Sequence, residues 1–359
     1  MAVRVLIAGA DGAGAAAAPF GLSMFDAVKS SGHPNFPAST VPPSPLANAV
    51  VHPPPAQASR HFDRMMVTME ERREGSEDSS KGTSSVVIGP VRACIKANDG
   101  NSDTSCHTIP MARAAYDPQM LSTACPTVTL AEANWYETNQ PRKDYVQLGV
   151  VAAVSDAMGR ILLTRRAAHM RSFPRAWVMP GGGLDDGESL TDCLVREVKE
   201  ETGVDVDRET VNPFCLWESC YPTCGKECLE AGSGITAHYL VVFCTAQTTE
   251  KNLSKLQEQV RLDEQETDMA VWLSAKEFVR SLEYPLGGGT DDDVGFIPGI
   301  VPPSSYKGDT DGPVCNLSLD DLCGIYPRGD DTSCMKGIAQ GNLFMLQELL
   351  NSHGGNAFQ

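Results

Sequence analysis

The feature that most constrains this chain is a short glycine-containing loop followed by a helix rich in carboxylates. Gly182 and Glu188 precede Glu197, Glu200 and Glu201 at fixed offsets. Because a helix advances about 100° per residue, the last three glutamates fall on one arc of its surface. Like charges at positions i and i+4 repel each other, so this arrangement favours a bound cation.

The helix has clear start and stop signals. Ser189 is a good N-cap, and Asp192 completes a pattern like a capping box. Gly203 suits the position after the last turn, because glycine enters the left-handed conformation without penalty. These signals predict a helix over 190–202. Its packed face is predicted to hold Leu190, Leu194, Val195 and Val198.

Carboxylate oxygens on a partly open site suit Mg²⁺ or Mn²⁺, which bridge substrate phosphates. The chemistry that this site favours is metal-assisted attack of water on a phosphoanhydride, with one glutamate as base. The glycines of segment 180–183 allow close approach of the backbone to the helix and a ligand. A solvated acidic helix is the alternative interpretation, but it does not account for the accompanying glycines and Glu188.

The spacing from Gly182 to Val204 matches the Nudix box, Gly-x5-Glu-x7-Arg-Glu-U-x-Glu-Glu-x-Gly-U with U aliphatic, and the chain resembles that family. The resemblance implies an α/β fold, an α/β/α sandwich around a mixed β-sheet. It also implies hydrolysis of a nucleoside diphosphate linked to another moiety. Catalytic roles are implied for Glu200, Glu201 and Arg196, and metal binding for Glu197, Glu200 and Glu201. Arg196 is expected to orient Glu197 by a salt bridge.

Segments outside the box extend the resemblance. Strands are predicted at 147–154 and 160–166, followed by the family's run into its box, and more strands at 216–222 and 238–243. Segment 266–273 resembles the place where many Nudix enzymes carry a further catalytic or metal-binding glutamate, which would be Glu266. The segments look most like the eukaryotic "nucleoside diphosphate-linked moiety X motif 17" type, which is regarded as decapping methylguanosine-capped RNA. Its C-terminal helix would correspond to 335–350.

Several residues are candidates for substrate binding. Gly182 belongs to the glycine loop, and Arg165 and Arg166 end a strand, where alternation allows at most one to face the phosphates. Tyr221 and Trp217 could stack on a purine. For Trp217, a core position is an equally good interpretation. A capped-RNA substrate would need local cations, for which the candidates are Arg165, Arg166, Arg171 and Arg175.

The net charge of −17 argues against a general nucleic-acid surface, and no DNA partner is expected. It favours a small dinucleotide over polymeric RNA. No apolar run approaches the ~20 residues that cross a bilayer, and no convincing signal peptide is present, so no membrane partner and a reducing, cytoplasmic location are expected. An organellar presequence is a minor alternative. Cys220, Cys224 and Cys228 are predicted to be free thiols rather than zinc ligands. His238 is predicted to be a core histidine.

Composition predicts five segments along the chain. They are a short N-terminal strand segment (1–30), a disordered linker (31–85), a minor N-terminal unit (86–143), the Nudix hydrolase domain (144–280), and a loop with a C-terminal helical extension (281–359).

Three functions are open at this stage. The first is metal-dependent hydrolysis of capped RNA or of a dinucleotide such as NADH. The second is a coenzyme A diphosphatase, to which Leu163-Thr-x-Arg and Arg171 show a slight likeness. The third is a catalytically silent Nudix module that binds nucleotides, which the retention of every box glutamate disfavours.

Overall fold

The computed structural model describes fifteen stretches of the chain. They are residues 5–8, 15–17, 23–24, 27–28, 62–74, 83–89, 106–114, 126–139, 146–222, 225–230, 232, 234–283, 296–300, 314–322 and 337–352.

The described strands form one mixed sheet. Their bounds are β1 Val5–Ala8, β2 Ala15–Ala17, β3 Phe62–Glu74, β4 Thr83–Gly89, β5 Cys106–Ala114, β6 Gln147–Ser155, β7 Ile161–Arg166, β8 Trp177–Val178, β9 Gly181–Gly183, β10 Val206–Tyr221, β11 Ala237–Thr248, β12 Thr267–Leu273, β13 Phe296–Ile300 and β14 Val314–Ser318. The order across the sheet is β14-β13-β12-β7-β6-β11-β10-β5-β3-β4-β1-β2, with β8 beside β7 and β9 beside β6.

Seven α-helices with described bounds and one 3-10 helix, Leu319–Leu322, accompany the sheet in the described part of the chain. The α-helices are α1 Pro126–Glu132, α2 Trp135–Thr138, α3 Leu190–Thr202, α4 Gly225–Glu230, α5 Leu253–Gln259, α6 Ala275–Glu283 and α7 Gln340–Ser352. None of the described helices is long and apolar enough to cross a membrane.

The two faces of the sheet carry different helices. Leu190, Leu194 and Val198 of α3 share one apolar core with Val150 and Val242 of the sheet. A second core contains Leu163 and Val271 of the sheet with Phe278 of α6 and Leu343 and Leu346 of α7. The predicted α/β fold with a mixed sheet between helices is therefore confirmed.

The N-terminal strands continue the same sheet. Strand β5 pairs in parallel with β10 through Leu216 and Met111, and β3 and β4 follow β5 outward. Val67, Met69 and Ile88 of these strands join the core beneath α3. The N-terminal strands therefore share both hydrogen bonds and apolar packing with the strands that carry the carboxylate helix.

Two predictions for irregular segments are wrong where the structure describes them. Strand β3 and the start of β4 lie inside 31–85, which composition predicted to be disordered. Charged residues dominated that prediction, whereas Met65, Val67 and Met69 alternate along β3 and pack into the core. Strand β13 similarly lies inside 281–359, for which the sequence predicted a loop before the C-terminal helix, and it pairs with β12 and β14. The remainder of 31–85 lies outside the described residues.

The prediction of free thiols is confirmed for the two of its three cysteines that the structure describes. Cys220 and Cys228 are buried free thiols, and Cys224 lies outside the described residues. Cys106 at the start of β5 is disulfide-bonded. Disulfides are rare in cytosolic proteins, so that bond is not what a reducing location predicts.

A buried ionic network joins the N-terminal segment to β10. Glu218 Oε1 lies 3.0 Å from His238 Nε2 and accepts a hydrogen bond from the Met24 N–H at 2.7 Å. Its other oxygen accepts from the Ser23 hydroxyl, which in turn accepts from Arg113. Burial raises the pKa of the Glu218 carboxyl, but His238, Arg113 and Ser23 outweigh burial and lower it overall. His238 is a satisfied core histidine, as predicted.

We expect Glu218→Gln to lower the free energy of unfolding at neutral pH by about 3–5 kcal/mol, since it removes one partner of a buried ion pair. A carboxyl whose pKa is lowered on folding contributes its full stability above its unfolded pKa of about 4.3 and loses it as pH falls through the folded value. The difference between wild type and Glu218→Gln should therefore shrink as the pH falls below about 4.3. Urea denaturation over this pH range measures it. Glu209→Gln, an exposed change on the same strand, is the control; an equal effect of both changes would contradict the prediction.

Candidate active site

The carboxylate helix begins and ends where its sequence predicted. Ser189 Oγ accepts a hydrogen bond from the Asp192 N–H, and the Asp192 side chain accepts from the Ser189 N–H, which completes a capping box. Gly203 adopts a φ of 73° after the last turn. Glu71 of strand β3 also accepts a hydrogen bond from the Leu190 N–H at 3.0 Å, so a negative charge from the N-terminal strands lies at the helix N-terminus, where it is stabilising.

Arg196 binds three carboxylates at once. Its Nε and Nη2 donate to the two oxygens of Glu188 at 2.6 and 2.8 Å, a paired arrangement that fixes the guanidinium plane. Its Nη1 donates to Glu197 at 2.8 Å and to Glu200 at 3.1 Å. The ion pair expected between Arg196 and Glu197 is therefore present, and Glu188 holds the arginine that makes it.

Gly182 makes room for the Glu197 carboxylate. A Cβ atom at position 182 would lie 2.4–2.6 Å from both oxygens and the carboxyl carbon of Glu197. No side chain fits there without moving Glu197. Strand β9 pairs Gly182 with Val150 of β6. The pairing within the sheet therefore fixes the position of Gly182 next to the Glu197 carboxylate.

The other carboxylates differ in exposure. Glu201 is 7% exposed, whereas Glu200 lies on the surface. Burial raises the pKa of Glu201 to about 8, the charges of Glu266 and Glu197 add to this, and Arg166 with the Gly181 N–H opposes it. Burial likewise raises the pKa of Glu197 despite its bond to Arg196. The structure thus brings Glu266 within electrostatic reach of Glu197 and Glu201.

Arg165 and Arg166 point to opposite faces of the sheet, as their alternation predicted. The charge of Arg166 acts on Glu201, and its Nε donates to the Ser172 carbonyl at 2.9 Å. Arg165 lies over the Trp177 ring and donates to Asp268 at 2.6 Å. Of the two arginines, Arg166 is therefore the one that lies near the carboxylates.

The two candidate aromatic residues occupy different environments. Tyr221 is 38% exposed, its hydroxyl donates to the Arg171 carbonyl at 3.0 Å, and its ring meets Phe173 edge-on at 6.4 Å. Trp217 is 6% exposed and packs against Phe344 of α7. The structure therefore favours the core interpretation of Trp217 and leaves Tyr221 as the accessible ring.

The segment that connects Arg166 to β8 lies beside the carboxylates. The Ala167 N–H donates to the Glu266 carbonyl at 2.8 Å, and Arg175 donates to Asp268 at 2.6 Å. Phe173 and Arg175 have φ values of 52° and 66°, a region that side chains rarely adopt. Such strain persists only where surrounding contacts enforce it, and here the bonds to Arg166, Asp268 and Tyr221 do so.

As they stand, no three His, Cys, Asp or Glu side chains within the described stretches are arranged around one point as metal ligands. Arg196 instead binds the carboxylates of Glu197 and Glu200. The donor set nevertheless fits a hard divalent cation. Burial raises the pKa of Glu197 and Glu201, the charge of Glu266 adds to both shifts, and Gly182 leaves space that the Glu197 carboxylate fills. Oxygen ligands of this kind suit Mg²⁺ or Mn²⁺.

Sequence reasoning did not identify Glu71, Asp268 or Asn342 as contacts of this region. Glu71 and Asn342 lie more than 100 residues from their partners, so no local spacing signals them. Asp268 lies beside the predicted Glu266, and its position between Arg165 and Arg175 depends on a register irregularity between Thr267 and Met269 of β12. The sequence alone identifies Asp268 as an acidic residue but does not indicate that it pairs with two arginines.

Comparison with known proteins gives one family and a set of relatives. The family model described as "NUDIX domain" matches residues 146–290. The chain is 34% identical over 131 residues to the "m7GpppN-mRNA hydrolase NUDT17" of Xenopus laevis, covering 36% of this chain and 42% of that protein. It is 31% identical over 209 residues to the protein of the same name from Danio rerio, covering 56% and 66%. The matches thus span at most about two thirds of these relatives.

Solved structures give a weaker match. A MutT protein from Methanosarcina mazei Go1 is 21% identical, with a TM-score of 0.27, over 40% of this chain and 83% of that one.

We expect Gly182→Ala to weaken Mn²⁺ binding by roughly 10- to 100-fold, because the new methyl group would displace the Glu197 carboxylate. Titration of Mn²⁺ followed by the electron paramagnetic resonance of the free ion measures this affinity. Gly183→Ala is the matched control, since a Cβ there meets nothing within 4 Å. Equal Mn²⁺ affinity in the two variants would contradict the prediction.

Proposed function

We propose, because residues 146–290 match the Nudix domain family model, that this chain is a metal-dependent hydrolase of nucleoside diphosphates linked to another moiety. The observation that carries the proposal is the Glu197 carboxylate, seated in the space left by Gly182 and bound by Arg196. An acidic helix that binds no ligand would not require a glycine and an arginine that position one of its carboxylates. The retained box glutamates favour an active enzyme over a silent module.

In this proposal Glu197, Glu200 and Glu201 would hold Mg²⁺ or Mn²⁺, with Glu266 beside them. The ion would neutralise the phosphates of the substrate and act as a Lewis acid. Arg196 positions Glu197 and Glu200, and Glu188 positions Arg196. Glu201 is held in the interior by the Gly181 N–H and the charge of Arg166.

The reaction adds water across a phosphoanhydride. The water oxygen forms a bond to one phosphorus, the bridging P–O bond breaks, and the leaving phosphate takes the electron pair of that bond. A glutamate of the cluster accepts the proton from the water. Arg166 is the cation best placed to attract the phosphates, because it lies on the same face as Glu201.

For the substrate, capped RNA is the first candidate. The relatives from Xenopus laevis and Danio rerio bear the name m7GpppN-mRNA hydrolase, and the proposal carries that activity to this chain. The net charge of −17 requires local cations for RNA, and Arg166, Arg171 and Arg175 supply them on one connecting segment. A dinucleotide such as NADH is the second candidate, and coenzyme A remains the alternative of the same class.

Tyr221 is proposed as a stacking surface for the nucleobase. Its exposed ring stands beside the segment that contains Arg171 and Phe173, and its hydroxyl binds that segment. Trp217 is not used in this proposal, because its ring packs under α7.

A substrate panel tests the proposed activity. Capped RNA, NADH, ADP-ribose, diadenosine polyphosphates and coenzyme A are each incubated with the full chain and Mg²⁺ or Mn²⁺, and the released nucleotides are separated by chromatography. We expect cleavage of the capped RNA, with loss of activity in EDTA. Failure of every compound to be cleaved would favour the silent module, and preference for coenzyme A would favour the alternative enzyme.

We expect Glu200→Gln and Glu201→Gln each to lower kcat by about 10²- to 10⁴-fold, because each removes a ligand or a base of the reaction. Circular dichroism and thermal melting should show a folded protein in both cases. Glu258→Gln, an exposed change on α5, is the control. Wild-type turnover in both variants would refute the assignment.

We expect Tyr221→Ala to raise KM for the preferred substrate by roughly 5- to 150-fold, the equivalent of the ~1–3 kcal/mol that base stacking supplies. Tyr221→Phe keeps the ring and should stay close to wild type. Steady-state kinetics on both variants measures the effect. If Tyr221→Phe were as impaired as Tyr221→Ala, the hydroxyl bond to Arg171 rather than stacking would be the function of this residue.

A further inference from the structure

The C-terminal segment binds the chain immediately before the glycine loop. The Trp177 N–H of β8 donates to the Gly337 carbonyl at 3.0 Å, and the Ala339 N–H donates to the Trp177 carbonyl at 3.0 Å. Ile338 thereby forms a parallel bridge with Trp177. Residues 337–339 therefore extend β8 through the backbone just before helix α7 begins.

Asn342, in the first turn of α7, makes the contact closest to the glycine loop. Its Oδ1 accepts a hydrogen bond from the Met179 N–H at 2.7 Å, and the residue is 7% exposed. Met179 precedes Pro180, whose carbonyl accepts from the Ala152 N–H of β6 at 2.8 Å. Strand β9, with Gly182, follows directly. The chain entering the glycine loop is thus held from β6 on one side and from α7 on the other.

The packing of α7 fixes the position of Asn342. A Cβ at Gly341 would lie 2.8 Å from Cγ of Trp217, so the helix approaches that ring as closely as a glycine allows. Phe344 packs on the same ring at 6.0 Å, and Met345 Sδ lies 3.4 Å from Cys215 Sγ. Rotation or sliding of α7 would break these contacts, so Asn342 Oδ1 is held in one place.

We propose that Asn342 is a positioning residue for the active site: by binding the Met179 N–H it sets the path of 180–183 and so the place of Gly182 against Glu197. The proposal rests on the proposed function. The hydrogen bond of Asn342 is to the backbone of Met179, so in this proposal the residue acts through the backbone. The C-terminal helix would then belong to the catalytic apparatus rather than being an appendage to the domain.

Loss of this bond would leave the buried Met179 N–H without its acceptor. An unpaired buried N–H is destabilising, and the chain can relieve this by moving Met179 toward other acceptors or water. Gly182 has little tolerance for such movement, because it lies directly against the Glu197 carboxylate. Misplacement of a catalytic group by about 1 Å can cost around 100-fold in rate. We therefore expect the change in kcat, rather than in KM.

The variants are Asn342→Leu, which keeps the volume and removes the acceptor, and Asn342→Ala, which removes the acceptor without adding bulk. Asn342→Asp retains an acceptor oxygen and places a negative charge in the first turn of a helix, where it is tolerated. Glu348→Gln is the matched control on the same helix, since it alters only the ion pair with Arg64 on β3. All are made in the full chain.

Two readouts are used well below the melting temperature of each variant. The first is kinetics on the preferred substrate: Asn342→Leu and Asn342→Ala should lower kcat by roughly 10- to 100-fold with KM within about twofold, and Asn342→Asp should recover most of the rate. The second is hydrogen exchange of the amides of 181–183, which should quicken in the Leu and Ala variants alone.

The outcomes separate the two proposals. If wild type cleaves no substrate, the proposed function fails, and hydrogen exchange still decides the role of Asn342. If the Leu and Ala variants melt at lower temperature but keep wild-type kcat and wild-type exchange at 181–183, the bond is structural only and the positioning role is overturned. An Asn342→Asp variant as slow as Asn342→Leu would also overturn it.

Discussion

The central constraint on this structure is that the fold holds several carboxylates close together and partly buried. Burial raises the pKa of Glu197 and Glu201, and the negative charge of Glu266 adds to both shifts. Two features offset this cost: the guanidinium of Arg196, which binds Glu197 and Glu200, and the missing side chain of Gly182. Both features act on the carboxylates of this helix. A stable helix alone would require neither of them.

The N-terminal strands and the C-terminal helix both contact the region of this cluster, and both do so by way of the same sheet. The N-terminal strands add to β10 and place Glu71 at the start of α3, so they meet the carboxylate helix at its positive end. The C-terminal helix packs on the opposite face and meets the chain before the glycine loop. The cluster therefore lies where two sequence-distant segments converge. The segment that matches the Nudix domain family model contains the middle strands of a larger sheet, whose outer strands contact the helix and loop of the site.

The sequence predicted features set by neighbours along the chain and missed those set by distant contacts. Ser189, Asp192 and Gly203 determine the limits of α3 by themselves, so the helix was found to the residue. The opposite directions of Arg165 and Arg166 follow from strand alternation alone. For β3, a run of charges obscured an alternation whose apolar side is stabilised only by packing against α3. Trp217 could not be placed from sequence, because what covers its ring is Phe344 and Gly341, more than 100 residues away.

The central claim is that the acidic arc of α3 holds a divalent ion against the glycine loop. Crystals of the full chain soaked in Mn²⁺, with diffraction recorded at the manganese absorption edge, test it most directly. The account predicts anomalous density within coordination distance of carboxylate oxygens from Glu197, Glu200 or Glu201, with Arg196 displaced from at least one of them. Well-diffracting soaked crystals without anomalous density beside these side chains would contradict it.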